Sequence, residues 1–140
     1  MSPTSKRSNT WEFVVIQDAE MLKKLANCRP NGSQLLSDSP LGIVIIADTT
    51  KSDVWIEDAS IAAIIMQLQA QDLGLGSCWV QVYKREKDEN TTADEYIRSL
   101  LNIPAQYAIL NIVSIGYPNE ERDCHDEEKL QIQKIHYGIF

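Results

Sequence analysis

The sequence predicts one domain in which a β-sheet is sandwiched by helices, of α+β or α/β class. Three observations carry that reading. A continuous apolar run of strand length, Leu41 to Ala47, suits a central strand covered on both faces, and Ala108 to Ile115 reads as a further strand. Between them, Val54 to Leu73 has the apolar spacing of a long helix and ends at Gly74 and Gly76. Turn residues punctuate the rest, so strands and helices alternate along residues 1–140 with no linker between them.

The elements follow in order. Trp11 to Gln17 is rich in β-branched and aromatic residues and reads as a strand. Asp18 is placed to cap a short helix carrying Met21, Leu22 and Leu25 on one face, and Pro30 to Ser33 breaks it. The apolar run from Leu41 to Ala47 comes next, then the long helix. Its Ile61, Ile64, Ile65 and Leu68 are interleaved with alanines, a stripe wide enough to predict burial on more than one side. Cys78 to Tyr83 is a further strand, Lys84 to Thr92 a charged exposed loop, and Asp94 to Leu101 a helix stopped before Pro104. Ala108 to Ile115 is another strand, closed by Gly116 and Pro118, and a polar, then mixed, tail follows.

Composition narrows the function. The chain of 140 residues is 44% hydrophobic and 24% charged, a globular profile. A formal net charge of −7 argues against nucleic acid as a general partner, which needs a basic face. Three widely spaced cysteines, Cys28, Cys78 and Cys124, form neither a disulfide framework nor a zinc-ligand pattern. No apolar stretch near the N-terminus resembles a signal peptide, and no run has the length of a membrane span. The expectation is a soluble cytoplasmic protein.

No side-chain catalyst stands out. Phosphate-binding and dinucleotide glycine motifs, a nucleophile elbow and a metalloprotease helix are all missing from the sequence. The two histidines, His125 and His136, lie in the tail without an evident nucleophile partner. An enzyme without its own nucleophile can borrow its chemistry from a cofactor. Two segments are candidates to hold one. Ser2 to Trp11 is a hydroxyl- and base-rich loop running into the first strand, with donors suited to a polar ring edge or a phosphate. Asp72 to Trp79 is a glycine-rich turn that lets backbone approach a ligand. By spacing alone, that turn reads first as an ordinary helix C-cap, and the opening loop is as readily an unstructured start.

Together these segments resemble the nitroreductase family. Pro3-Thr4-Ser5-Lys6-Arg7-Ser8-Asn9-Thr10-Trp11 is similar to its P-S-x-x-N-x-x-P-W loop. Trp55, Asp58 and Ala62 match its W-x-x-D-x-x-x-A helix, and Gly74-Leu75-Gly76-Ser77-Cys78-Trp79 its G-L-G-S-x-W turn. Ile115-Gly116-Tyr117-Pro118 and Lys134-Ile135-His136-Tyr137 extend the likeness across nearly the whole chain. The resemblance implies an α+β nitroreductase-like fold with a mainly antiparallel central sheet. It implies FMN held at a homodimer interface, contacted by Pro3, Thr4, Ser5 and Arg7 from the loop and by Leu75 and Gly76 from the turn, with Arg122 near the phosphate. It further implies ping-pong hydride transfer from NAD(P)H to nitroaromatic, quinone or related acceptors.

Two departures qualify what is implied. Arg7 stands where the family has asparagine. The family also opens with a helix bearing an R-R-S-x-R phosphate-binding cluster, and this chain starts just after it, as if N-terminally truncated. Loss of several charge-assisted bonds, each worth about 1.5–3 kcal/mol, predicts weakened FMN binding. The alternative is therefore a catalytically weak or inactive flavodomain that keeps the dimer.

Overall fold

The computed structural model describes residues 2–120 and 126–140. Four strands form one antiparallel sheet: β1 (Trp11–Ile16), β2 (Leu41–Asp48), β3 (Gly76–Gln81) and β6 (Tyr107–Gly116), in the order β1-β2-β6-β3. Helices α1 (Ala19–Leu25) and α3 (Ala93–Leu101) contribute to one core, α2 (Trp55–Asp72) to the other. With every pairing in this sheet antiparallel, the arrangement is α+β rather than α/β, whose sheets are mostly parallel.

Leu41 to Ala47 and Ala108 to Ile115 lie in the two central strands, which sit between neighbours and under helices on both sides and so bury most of their side chains. On one face Leu22, Leu25, Ile97, Ile109 and Ile112 form a core. On the other, Ile45, Leu110 and Val113 pack with Ala59 and Ala63 of α2. Ile109 and Leu110 face opposite cores by ordinary alternation, but Leu110 and Ile112, two residues apart, also lie in different cores, because the β2–β6 register slips by one residue between Ile45 and Ile46. Such a bulge adds one residue and reorients its neighbours. The same residue ends the pairing of β3. The amides of Val82 and Tyr83 both donate to the Leu110 carbonyl, so this strand runs Gly76–Gln81 rather than Cys78 to Tyr83.

Local signals account for the ends of the helices. The Asp18 carboxylate accepts the Met21 amide at 2.8 Å, the expected cap of α1. Helix α3 starts with a capping box. Thr92 Oγ1 accepts the Glu95 amide, and the Glu95 carboxylate accepts the Thr92 amide. The stretch expected as a plain charged loop instead holds a small ribbon, β4 (Glu86–Asp88) with β5 (Thr91–Thr92), that leads into this cap.

Helix α2 departs from expectation. Its small residues Ala59, Ala62, Ala63 and Ala70 are buried, whereas Ile61, Ile64, Ile65 and Leu68 are exposed. Alanines let the helix lie close on the sheet; the larger side chains are left outward, so one side alone is covered within the chain. Residues 126–140 also present every side chain to solvent, including Leu130, Ile132, Ile135 and Tyr137. Among the described residues no helix is long and apolar enough to cross a membrane.

Candidate functional site

The opening loop is ordered by its own hydrogen bonds. Thr4 Oγ1 accepts the Asn9 amide and donates to Asn9 Oδ1, both at 3.1 Å, closing the base of the loop. Lys6 and Arg7 between them, and Asn9 itself, take left-handed backbone conformations, with φ of 50°, 55° and 47°. Such angles are costly for lysine and arginine and tolerated better by asparagine. The loop is tied to α2 at one residue. Asp58 Oδ1 accepts the Ser5 amide at 2.8 Å, and Asp58 Oδ2 accepts from Ser8 Oγ at 3.3 Å. Thr4 therefore spends its hydroxyl inside the loop and Ser5 its amide on Asp58, while Pro3, Lys6 and Arg7 are exposed.

The glycine turn sits at the other end of α2. The Leu75 amide reaches the Ala70 carbonyl at 2.8 Å and the Gly74 amide the Gln71 carbonyl at 3.0 Å, with Gly74 at φ 72°. These two bonds and the left-handed residue form a Schellman cap, so the C-cap reading of Gly74 holds. Leu75 packs against the α2-side core. Gly76 begins β3 and pairs with Gly116 of β6. Two facing residues without Cβ atoms leave a flat strip of backbone. At Gly116 a Cβ would press on Pro40 at 3.2 Å; at Gly76 it would make ordinary contact with the Gly116 carbonyl and Pro118.

Around that strip lie two open grooves. One, of about 570 Å³, is walled by Cys78, Ser114, Tyr117 and Pro118; the other, of about 510 Å³, by Gln71, Gly74 and Leu75. Gly76, Ser77, Pro118 and Glu120 line both. Both lie in the size range of small-molecule sites. The Ser77 hydroxyl accepts from Gln67 Nε2 at 3.3 Å, and that of Ser114 pairs with Ser39. The grooves suit a flat ring lying on backbone. Their described lining carries Glu120 and no lysine or arginine, so a phosphate would need its cations from elsewhere. Arg122 falls outside the described residues.

Within one chain the two candidate segments do not meet. The loop is pinned at the first turns of α2 and the glycines follow its last turn. Eighteen residues separate the ends, a span of about 27 Å at 1.5 Å per residue. Sequence reasoning also missed three participants. Asp58 lay inside the W-x-x-D match without a role. Gly116 and Pro118 lay inside the I-G-Y-P match, which suggested a strand end and not a groove wall.

The geometry has close counterparts among known proteins. The nitroreductase family model matches residues 26–117. A protein of Archaeoglobus fulgidus, provisionally named NADH dehydrogenase/NAD(P)H nitroreductase, is 34% identical over 97% of this chain and 78% of its own length. This chain belongs to the nitroreductase family. Its structure superposes on an FMN-dependent nitroreductase of Clostridium difficile R20291 with a TM-score of 0.98 and 50% identity, covering 100% of this chain and 82% of that one. A Parabacteroides distasonis protein, also provisionally named NADH dehydrogenase/NAD(P)H nitroreductase, superposes with a TM-score of 0.87 at 29% identity, covering 99% and 79%. The antiparallel α+β fold implied by the sequence resemblance is thus the fold observed.

Proposed function

We propose that this nitroreductase-family chain is a cytoplasmic, FMN-dependent NAD(P)H oxidoreductase that acts as a homodimer on nitroaromatic, quinone or related acceptors by a ping-pong reaction. The observation that carries the proposal is the position of the exposed stripe on α2. The helix has its midpoint between Ala63 and Ile64, and the stripe Ile61–Leu68 has its midpoint between Ile64 and Ile65. A stripe centred on its helix is self-complementary under a two-fold axis, which pairs a patch with its own copy. Antiparallel packing of two such helices sets the opening loop of each subunit beside the glycine turn of the other. Two segments separated by the length of a helix within one chain then share one site. The exposed apolar residues of 126–140 fit the same assembly, as an arm laid on the partner.

When bound, FMN supplies the hydride acceptance and donation that no side chain here offers. The chain's own part is placement. Gly76 and Gly116 present flat backbone to a ring, Leu75 backs the turn, and Pro3, Thr4 and Ser5 supply the loop. Arg7 and Arg122 are proposed to answer the phosphate charge, which the described groove lining leaves unmatched.

The test is an absorbance spectrum and FMN titration of the purified chain, with sedimentation velocity and NADH- or NADPH-driven reduction of a nitroaromatic. One FMN per subunit, a dimer and turnover with excess FMN are expected, with flavin lost on dialysis if phosphate contacts are few. A dimer that binds FMN without turnover would leave the weak flavodomain as the reading, and a chain that binds no FMN would end both.

A further inference from the structure

We infer that Asp58 is the positioning residue for the flavin loop: its carboxylate holds residues 5–8 in the left-handed turn that presents the loop to the ring. The inference goes beyond the family likeness, which gave Asp58 no role, and it rests on the flavin reading of the loop.

Four observations carry it. Asp58 is only 3% exposed, and among the described residues it has no ion-pair partner. A buried carboxylate must find hydrogen-bond donors, and both of its oxygens find them in the loop: the Ser5 amide at 2.8 Å and the Ser8 hydroxyl at 3.3 Å. The residues between those donors, Lys6 and Arg7, have positive φ, a conformation that ordinary side chains keep only when the surroundings impose it. Finally, the anchor is itself fixed. Trp55, one turn earlier, is buried and set edge-on to Tyr83 with ring centres 5.0 Å apart. The W-x-x-D spacing therefore places a rigid wedge and a hydrogen-bond acceptor on one face of α2, three residues apart. Thr4 and Asn9 close the loop base, and Asp58 clamps its middle. Left over are the Ser5 hydroxyl and the exposed cations of Lys6 and Arg7, the groups suited to a ligand.

Asp58 is not a catalytic residue on this account, so its test needs a readout in the apo chain. Hydrogen exchange of the amides of residues 5–9 is measured by mass spectrometry without flavin, and FMN dissociation constants by fluorescence quenching, for wild type, Asp58→Ala, Asp58→Asn and Ser8→Ala. Asp58→Ala is expected to speed exchange in the loop by about tenfold or more, with the β2 and β6 amides unchanged, and to weaken FMN binding by a similar factor, as loss of charge-assisted bonds predicts. Asp58→Asn keeps an oxygen for the Ser5 amide and offers Nδ2 to the Ser8 oxygen, so it should stay within about threefold of wild type. Ser8→Ala removes one bond and should fall between; it also serves if Asp58→Ala does not fold. Unchanged loop exchange in Ser8→Ala and Asp58→Ala, or an Asp58→Asn variant as loose as Asp58→Ala, overturns the inference. A wild type that never binds FMN overturns the flavin reading instead, and the apo exchange still decides whether Asp58 holds the loop.

Discussion

The carboxylate of Asp94, in the first turn of α3, accepts the backbone amide of Ile109 in β6 at 2.8 Å while pairing with Arg98 one turn along its own helix. Arg98 in turn donates to the Pro104 carbonyl at 2.8 Å, so one acidic side chain ties helix, sheet and the connection between them. Asp94→Ala leaves the Ile109 amide without its acceptor and should destabilise the chain by about 1–3 kcal/mol. Urea unfolding at constant m-value is the measurement, and a change within ±0.3 kcal/mol would contradict this role.

Asn111 presents the opposite case. It is fully buried on β6 with neither amide atom hydrogen-bonded. An orphaned buried polar group costs about 1–3 kcal/mol, and leucine has a similar shape without the penalty. Asn111→Leu should therefore raise the thermal midpoint. A lowered midpoint would mean that a bound water satisfies the amide and that its loss matters more.

Arg7 holds φ at 55° where the family's loop carries asparagine. The left-handed conformation costs ordinary residues about 1–2 kcal/mol and asparagine less. Arg7→Asn should then stabilise the apo chain by several tenths of a kcal/mol. Its effect on FMN affinity should run the other way if the guanidinium meets the phosphate. Denaturation and flavin titration of the same variant separate the two effects.

The described cysteines should react unequally. Cys78 is exposed and lines the groove beside Gly76, whereas Cys28 is buried and free. Burial pushes the Cys28 thiol above its ordinary value of 9.0, although Ser33 and Arg29 pull it back in part. A thiol held protonated in the folded chain stabilises it below about pH 9. That contribution is lost as pH rises, because the unfolded chain releases the proton first. Peptide mapping after alkylation at pH 8 should find Cys78 modified natively and Cys28 only after denaturation, with FMN slowing the reaction at Cys78. Equal labelling of the two in the native chain would contradict the burial argument.

Much of this architecture was legible in the chain itself. The unbroken apolar run from Leu41 to Ala47 marked a central strand, because a doubly covered strand can carry consecutive apolar residues, and Ala108 to Ile115 was legible as a strand although Asn111 and Ser114 interrupt its apolar pattern. Asp18 announced its cap, and Gly74 the end of α2, because each solves a local hydrogen-bonding problem that neighbours in sequence pose. The capping box at Thr92 and Glu95 was equally local and went unread, which turned a ribbon and helix start into a plain loop.

Where the elements meet was decided only by the tertiary structure. Spacing could show that α2 is apolar on a wide arc. It could not show that alanines take the sheet side and Ile61, Ile64, Ile65 and Leu68 the outside, because that choice depends on how closely the helix approaches a sheet made of distant segments. Nor could it show that Asp58 clasps Ser5 across 53 residues of sequence, or that Gly76 lies against Gly116. Such contacts depend on strand order and register, which long-range packing sets, whereas caps, turns and strand-length runs are fixed within a few residues of themselves.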